Sequence, residues 1–98
     1  MKTYILTLKA EEDIRSIWKY TAEEWDEIQA EIYLSGLEDK IKQAAKSPDT
    51  IGLVRDELKK GYMSFLFEHH IIFFKKKTGH IEVIRILHQR MDITERLK

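Results

Sequence analysis

Cysteine is absent from this chain of 98 residues, which excludes disulfides and thiolate metal sites and suits a reducing cytoplasm. Long apolar runs are absent too. None approaches the roughly 20 residues that a membrane helix needs, so no membrane association is expected. The chain starts with one lysine, Lys2, and then a strand-like segment, which does not read as a signal peptide. Internal repeats and low-complexity linkers are missing, and residues 1–98 are expected to form a single domain. There is no glycine-rich phosphate loop, no GxSxG and no HExxH. Two adjacent histidines, His69 and His70, would point to opposite faces of a strand and so chelate one metal poorly. No metal and no cofactor is expected. Net charge is also lacking, at zero overall, which makes tight, unaided or sequence-specific nucleic-acid binding a poor prospect, because such binding rests on phosphate neutralisation.

What is present is a globular pattern, with 43% apolar and 35% charged residues, far from a disordered composition. Tyr4 to Leu8 alternates and reads as a first strand. A helix is expected from about Ala10, opened by Glu11, Glu12 and Asp13, which complement the positive end of the helix dipole. Lys9 at its start is a poor cap. Ala10, Ile14, Ile17, Trp18, Thr21 and Trp25 form one stripe, and both tryptophans are expected against the sheet. Asp26 can cap a second helix over Glu27–Lys46, whose inward stripe is Ala30, Tyr33, Leu34, Leu37, Ile41 and Ala44. The short joint makes an antiparallel helical hairpin. Ser47-Pro48-Asp49 ends it, since proline cannot continue the helix. Thr50 to Gly61 is polar, with a short extended piece at Leu53-Val54. Strands follow over Tyr62–Phe67 and His70–Lys75, with a turn at Glu68-His69. A solvated hairpin tip is expected at Lys75–Gly79, and a last strand at Ile81–His88, apolar on both faces and so covered on both sides. Ile93 to Lys98 reads as a helical turn or a frayed tail. The fold class is α+β: an N-terminal strand, a helical hairpin and a three-stranded antiparallel meander, giving a two-layer domain with a four-stranded antiparallel sheet.

The zero net charge hides an asymmetry. Residues 1–49 carry seven Lys/Arg against eleven Asp/Glu, and residues 50–98 carry ten against six. The last strand stops abruptly at His88, Gln89, Arg90 and Asp92, so it delivers polar and cationic groups to one end of the sheet. Ile28 and Ile32 lie opposite the inward stripe of the second helix. With Tyr20 they would form a small exposed apolar patch of the kind that seats a partner.

Four stretches in order, YILTLKAEEDIRSIWKYTAEEW, RDELKKGYMSF, HHIIFF and VIRILHQRMD, cover nearly the whole chain and resemble ParE-type toxins of bacterial type II toxin–antitoxin modules, within the RelE/ParE group. The resemblance implies a toxin that inhibits DNA gyrase by protein–protein contact, breaking no bond itself. It also implies a ParD-like antitoxin as the partner in a hetero-oligomer. By that resemblance Arg90, Met91, Asp92 and Arg96 are the candidates for gyrase contact, and Tyr20, Ile28 and Ile32 for the antitoxin. Met63 departs from the pattern, since a basic residue is common there.

The RelE side of the group implies a different activity, ribosome-dependent cleavage of messenger RNA. That reaction needs an acid, a base and cations for the phosphorane charge. His88, Arg85, Arg90 and Arg55 supply those types, with Glu57 and Tyr62 nearby in sequence. Structural roles compete for the same residues. Arg85 on a buried strand would pair with a carboxylate such as Glu57 or Asp56, or cap loop carbonyls, and His88 would bond backbone at a strand end. The C-terminus also lacks the tyrosine that several RNA-cleaving relatives place there. A third reading is a non-toxic relative that keeps only its antitoxin binding.

Overall fold

The centre of the molecule is a hairpin of two long strands whose residues are apolar on both faces. The computed structural model describes residues 3–98, so Met1 and Lys2, at the start of the segment read as lacking a leader, lie outside the described residues. In chain order the elements are β1 (Tyr4–Leu6), α1 (Leu8–Glu24), α2 (Glu27–Lys46), α3 (Pro48–Ile51), β2 (Leu53–Val54), β3 (Met63–Phe67), β4 (His70–Lys77), β5 (His80–His88) and α4 (Ile93–Arg96). The sheet order is β1-β5-β4-β3-β2, which puts β5 and β4 inside. The pairing of β4 with β5 slips between Phe73 and Phe74, where Phe73 faces Arg85 and Phe74 faces Val83. Ile84 is the extra residue of this bulge, and bulges increase local twist and re-aim side chains.

Both faces of the hairpin are covered, by unequal layers. On one face α1 and α2 bring Ala10, Ile17, Leu37, Ile41 and Ala44 against Met63, Phe65, Ile72, Phe74, Ile81, Val83 and Ile86. On the other, Tyr62, Phe73, Leu87 and Leu97 form a smaller cluster, with Leu58, Ile71, Ile84 and Ile93 packed against it. That second layer is made only of the connection before β3 and the C-terminal segment. Full burial of a large apolar side chain contributes about 1.5–3 kcal/mol, so Leu97 and Ile93 give the last residues a firm anchor in place of a frayed tail.

The structure corrects several expectations. The sheet has five strands and is mixed, because β1 runs parallel to β5 and the remaining pairs are antiparallel. Strand direction leaves no mark in three apolar residues. The cap of α1 is Thr7, whose Oγ1 accepts from Ala10 N at 3.1 Å, so the helix begins before the poor cap at Lys9. Ala10 stands where a capping box would carry Glu or Gln, so the usual signature is missing. Trp25 is not in the core. It lies past the last helical residue and is 75% exposed. Trp18 is half-buried, and its Nε1 donates to Glu31 of α2 at 3.4 Å instead of packing on the sheet. Lys75, Lys76 and Lys77 belong to β4, and the turn is Thr78-Gly79 alone. Lys75 lies 5.4 Å over the Tyr62 ring, Lys76 pairs with Asp49 at 2.8 Å, and Lys77 reaches Glu82 at 3.9 Å.

Gly52, between α3 and β2, is a point of close approach between backbone and core. A Cβ there would meet Phe74 Cζ and the Pro48 carbonyl oxygen, each at 2.7 Å. The backbone oxygen cannot swing aside. Gly52→Ala should therefore lose about 1–3 kcal/mol of stability by overpacking, measured by urea denaturation, while an unchanged midpoint would show that the α3 turn gives way freely.

Candidate functional site

β1 pairs with β5 only from Ile81 to Val83, so the edge of β5 beyond it has no strand beside it. Side chains of the α1 segment satisfy that edge. Thr7 Oγ1 donates to the Ile84 carbonyl at 2.7 Å, and Asp13 Oδ2 accepts from Ile86 N at 2.9 Å. The Asp13 carboxylate also receives Arg85 in a fork, Nε to Oδ2 at 2.8 Å and Nη2 to Oδ1 at 3.0 Å. The remaining arm of Arg85, Nη1, donates to the Arg96 carbonyl at 2.9 Å. One guanidinium thus joins the first helix, the last strand and the C-terminal turn. The hydrogen bonds that Arg85 donates to the Asp13 carboxylate hold its pKa above the ordinary value, against the opposing effect of burial.

This pairing overturns the expectation that Arg85 would meet Glu57 or Asp56. Glu57 is held by Arg55 at 2.8 Å, and that bond draws its carboxyl below the usual range. Asp56 accepts from Gly61 N at 2.9 Å. Arg55 also donates to Ser64 Oγ at 3.0 Å and lies 5.7 Å over the Phe73 ring. Ser64 and Phe73 face each other in register, and Phe73 belongs to the smaller cluster, so Arg55 sits on the sheet face away from the helical hairpin.

At the end of β5 three imidazoles gather. His70 faces His88 in register with ring centroids 5.3 Å apart, and His69, in the β3–β4 turn, stacks on His88 at 6.2 Å. His69 is therefore not a strand residue pointing away from His70. A 2.6 Å hydrogen bond joins Tyr33 Oη of α2 to His70 Nδ1. Burial, and then the neighbouring His88 and His69, lower the His70 pKa to about 4. His88 Nδ1 accepts from Arg90 N at 3.1 Å, which leaves the ring proton on Nε2. Among the described residues no group of three or more His, Cys, Asp or Glu is placed to hold a metal ion.

Beyond His88 the chain turns, with Met91 N donating to the His88 carbonyl at 2.9 Å, and Asp92 Oδ1 caps α4 by accepting from Glu95 N at 3.2 Å. Between this turn and α1 lies an open groove of about 530 Å3. Its walls include Tyr20 and Ile17 from α1, Ile86 and His88 from β5, and Arg90, Met91 and Arg96 from the C-terminal segment. Six residues singled out in the sequence for three different roles, Tyr20, Arg85, His88, Arg90, Met91 and Arg96, therefore line one cavity. Asp92 is engaged as a cap, and Arg55 is remote. Ile28 and Ile32 are exposed on α2, at 71% and 59%. Ile32 lines a separate depression with Trp25 and Tyr33. Sequence reasoning missed Trp25 as a surface residue and Asp13 as the partner of Arg85. The only signal for Trp25 was its place just before the helix-capping Asp26, and no signal announced a pair 72 residues apart.

The fold and the groove define a small α+β domain with a cationic, partly apolar end. Comparison with known proteins gives that domain its family. A family model described as the ParE toxin of the type II toxin–antitoxin system parDE matches residues 4–93, and the chain belongs to this family. Toxin ParE1 of Mycobacterium tuberculosis is 38% identical over 95 residues, 96% of each chain. Toxin ParE of Escherichia coli is 38% identical over 100 residues, covering 99% of this chain and 94% of that protein. Toxin ParE1 of Caulobacter vibrioides is 33% identical over 92 residues, 94% of each. In fold, the chain resembles a chain of the chromosomal ParDE system from P. aeruginosa, with a TM-score of 0.75 at 19% identity over 90% of this chain and 96% of that one.

Two outcomes follow from these contacts. Asp13→Ala leaves Arg85 and the Ile86 amide without their carboxylate, and should cost about 2 kcal/mol, less than a fully buried pair would because both side chains keep part of their surface in water; a loss under half of that in urea denaturation would show that water replaces the carboxylate. Burial holds the folded His70 pKa at about 4 against 6.5 for a solvated imidazole, so its neutral form is favoured by folding. Its contribution is complete above pH 6.5 and is lost as pH falls from 6.5 towards 4. His70→Gln, which does not titrate, should show a shallower fall in denaturation midpoint over that window than the parent chain, and parallel profiles would contradict the burial effect.

Proposed function

We propose that this chain acts in the cytoplasm as a toxin that inhibits DNA gyrase by protein–protein contact, makes and breaks no covalent bond, and is neutralised by a ParD-like antitoxin in a hetero-oligomer. The observation that carries the reading is the groove beside the C-terminal segment, lined by Arg90, Met91 and Arg96, with Arg96 tied through its carbonyl to Arg85 and the amides of Arg90 and Met91 bonded to His88. Family membership supports the toxin reading as a whole. Arg90, Met91 and Arg96 are the contacts proposed for gyrase, with Asp92 shaping the turn beneath them. The antitoxin is proposed to lie along the exposed helical hairpin, over Tyr20, Trp25, Ile28 and Ile32, where four large apolar side chains face solvent.

The RNA-cleaving alternative asks His88, Arg85, Arg90 and Arg55 to converge on one phosphate. Their placement argues against it. Arg55 is on the opposite face, Arg85 is taken up by Asp13 and the Arg96 carbonyl, and His88 Nδ1 is occupied by Arg90 N. Two assays decide. The purified chain is added to gyrase with supercoiled DNA, and separately to translating ribosomes. Stalled, cleaved DNA complexes without RNA cuts are expected. RNA cuts that vanish in His88→Ala would overturn the reading, and so would inertness towards gyrase. In the same assays Arg90→Ala should weaken gyrase inhibition about tenfold, as loss of one charged hydrogen bond does, with an unchanged thermal midpoint. Ile28→Asp should weaken antitoxin binding while leaving gyrase inhibition intact.

A further inference from the structure

Two histidines hold the turn that follows β5 by the same ring atom. His88 Nδ1 accepts from Arg90 N at 3.1 Å, and His69 Nδ1 accepts from the Gln89 side-chain Nε2 at 3.4 Å. A protonated imidazole has no free lone pair on either nitrogen, so both bonds require neutral rings. The two rings are stacked, 21° from parallel with centroids 6.2 Å apart, and His70 meets His88 edge-on at 5.3 Å. The His88 bond runs from a side chain to the amide two residues on, the closure of an Asx turn with a titratable ring in place of the carboxamide.

The surroundings do little to offset a proton here. α1 presents Tyr20 and Asp13, and the Asp13 carboxylate is already bound to Arg85 of β5. α2 presents Tyr33, whose hydroxyl is bonded to His70, and the β3–β4 turn presents Glu68 beside that hydroxyl. The C-terminal segment presents Arg90 and Arg96, while its acids are engaged elsewhere, Asp92 as the cap of α4 and Glu95 with Lys98 at 3.1 Å. Three guanidiniums therefore stand around the rings against the carboxylates of Asp13 and Glu68. Burial, with His88 and His69 alongside, lowers His70 to about 4, so that ring stays neutral in mild acid.

We propose that His88 and His69 form an acid-sensitive latch on the C-terminal turn, in which a proton on each ring replaces the acceptor of Arg90 N or of the Gln89 side chain with a donor and loosens residues 89–92. Neutral rings favour the closed turn, so the turn is closed at the upper end of the range in which histidines change charge, about pH 5 to 8, and loosens towards the lower end. The opening is confined to the turn. Arg85 still holds the Arg96 carbonyl at 2.9 Å, and Leu97 stays buried, so α4 remains in place. Arg90 and Met91 line the groove beside α1, so the shape of that wall follows the charge on the two rings. The latch is a property of the free chain, whether or not gyrase is its target.

The test is a pH titration of the full chain, labelled with 15N, from about pH 8 to 5, read by amide hydrogen exchange and by the ring signals of each histidine. Exchange at Arg90, corrected for the intrinsic effect of pH, should quicken about tenfold as one hydrogen bond is lost. It should do so with the midpoint of the His88 ring, while Ile72 and Phe74 keep their protection. His88→Asn supplies an oxygen that closes the same turn and does not titrate, so Arg90 should stay protected throughout. His88→Ala should leave Arg90 fast at every pH. In His69→Ala the Gln89 side-chain signals should stop responding to pH, with the Arg90 response retained. Quickening that persists in His88→Asn would overturn the proposal, because another group would then be the cause. An Arg90 amide that keeps its protection while the His88 ring titrates would overturn it too. Loss of protection at Ile72 and Phe74 over the same pH range would do likewise, since the event would be global unfolding.

Discussion

Asp13 satisfies three donors at once, two on Arg85 and the amide of Ile86. The need for it comes from topology. A three-residue β1 covers only part of β5, and the uncovered edge would leave a strand amide unpaired beside the groove. An unsatisfied buried donor costs about 1–3 kcal/mol, and an unpaired buried charge costs more. Asp13 removes both costs with one side chain. It can do so because Thr7 caps α1 early and bonds the Ile84 carbonyl, which fixes the first turn of the helix against the strand. The third arm of Arg85 then carries the constraint to Arg96, and through it to a C-terminal turn that is also held by its bonds to His88 and by the burial of Leu97.

That turn belongs to the thinner of the two layers. The helical face is a continuous core running the length of α1 and α2, while the opposite face rests on Tyr62, Phe73, Leu87 and Leu97. Arg55, stacked near Phe73 and bonded to Ser64, closes part of this face with a charged group where a larger domain would use another helix. The smaller layer has fewer apolar contacts to lose, so local opening should be easiest there. The cations of the groove are thus carried on a segment whose position depends on a few specific bonds, chiefly Arg85 to Arg96 and the burial of Leu97.

Much of the fold was legible because its signals are local. Asp26 announced the joint between the helices, Pro48 the end of the second, and the apolar runs at Ile71–Phe74 and at Ile81–Leu87, the latter interrupted only by Glu82 and Arg85, the inner strands. The errors share a cause, namely contacts between residues distant in sequence. The direction of β1 depends on a partner at Ile81–Val83, and Trp25 escaped the core because α1 stops one residue short of it. Arg85 was rightly expected to be paired, but proximity in the chain favoured Glu57 and Asp56 over the true partner. Of the site, the cationic end of β5 and the exposed α2 isoleucines were legible as residue types in a pattern. That Tyr20 and Arg96 would line one groove was not, since nothing short of the packed fold brings α1 against the C-terminus.

The same contacts bear on whether such a surface does chemistry or binds. Proton transfer needs a group that can gain and release a proton near neutral pH and reach a substrate. His70 is pushed down to a pKa of about 4 and bonded to Tyr33, so at neutral pH it is a fixed, uncharged part of the α2–sheet contact. His88 has one ring nitrogen committed to the Arg90 amide, which sets its orientation for the turn. Among the described residues, what lines the groove without a salt-bridge partner is guanidinium, from Arg90 and Arg96, and a guanidinium keeps its charge at any physiological pH. Such a group grips a carboxylate or a phosphate but shuttles no proton. At this end of the sheet His70 is fixed against α2 and His88 orients the turn, which leaves Arg90 and Arg96 as the charged side chains lining the groove beside the Asp13–Arg85 pair.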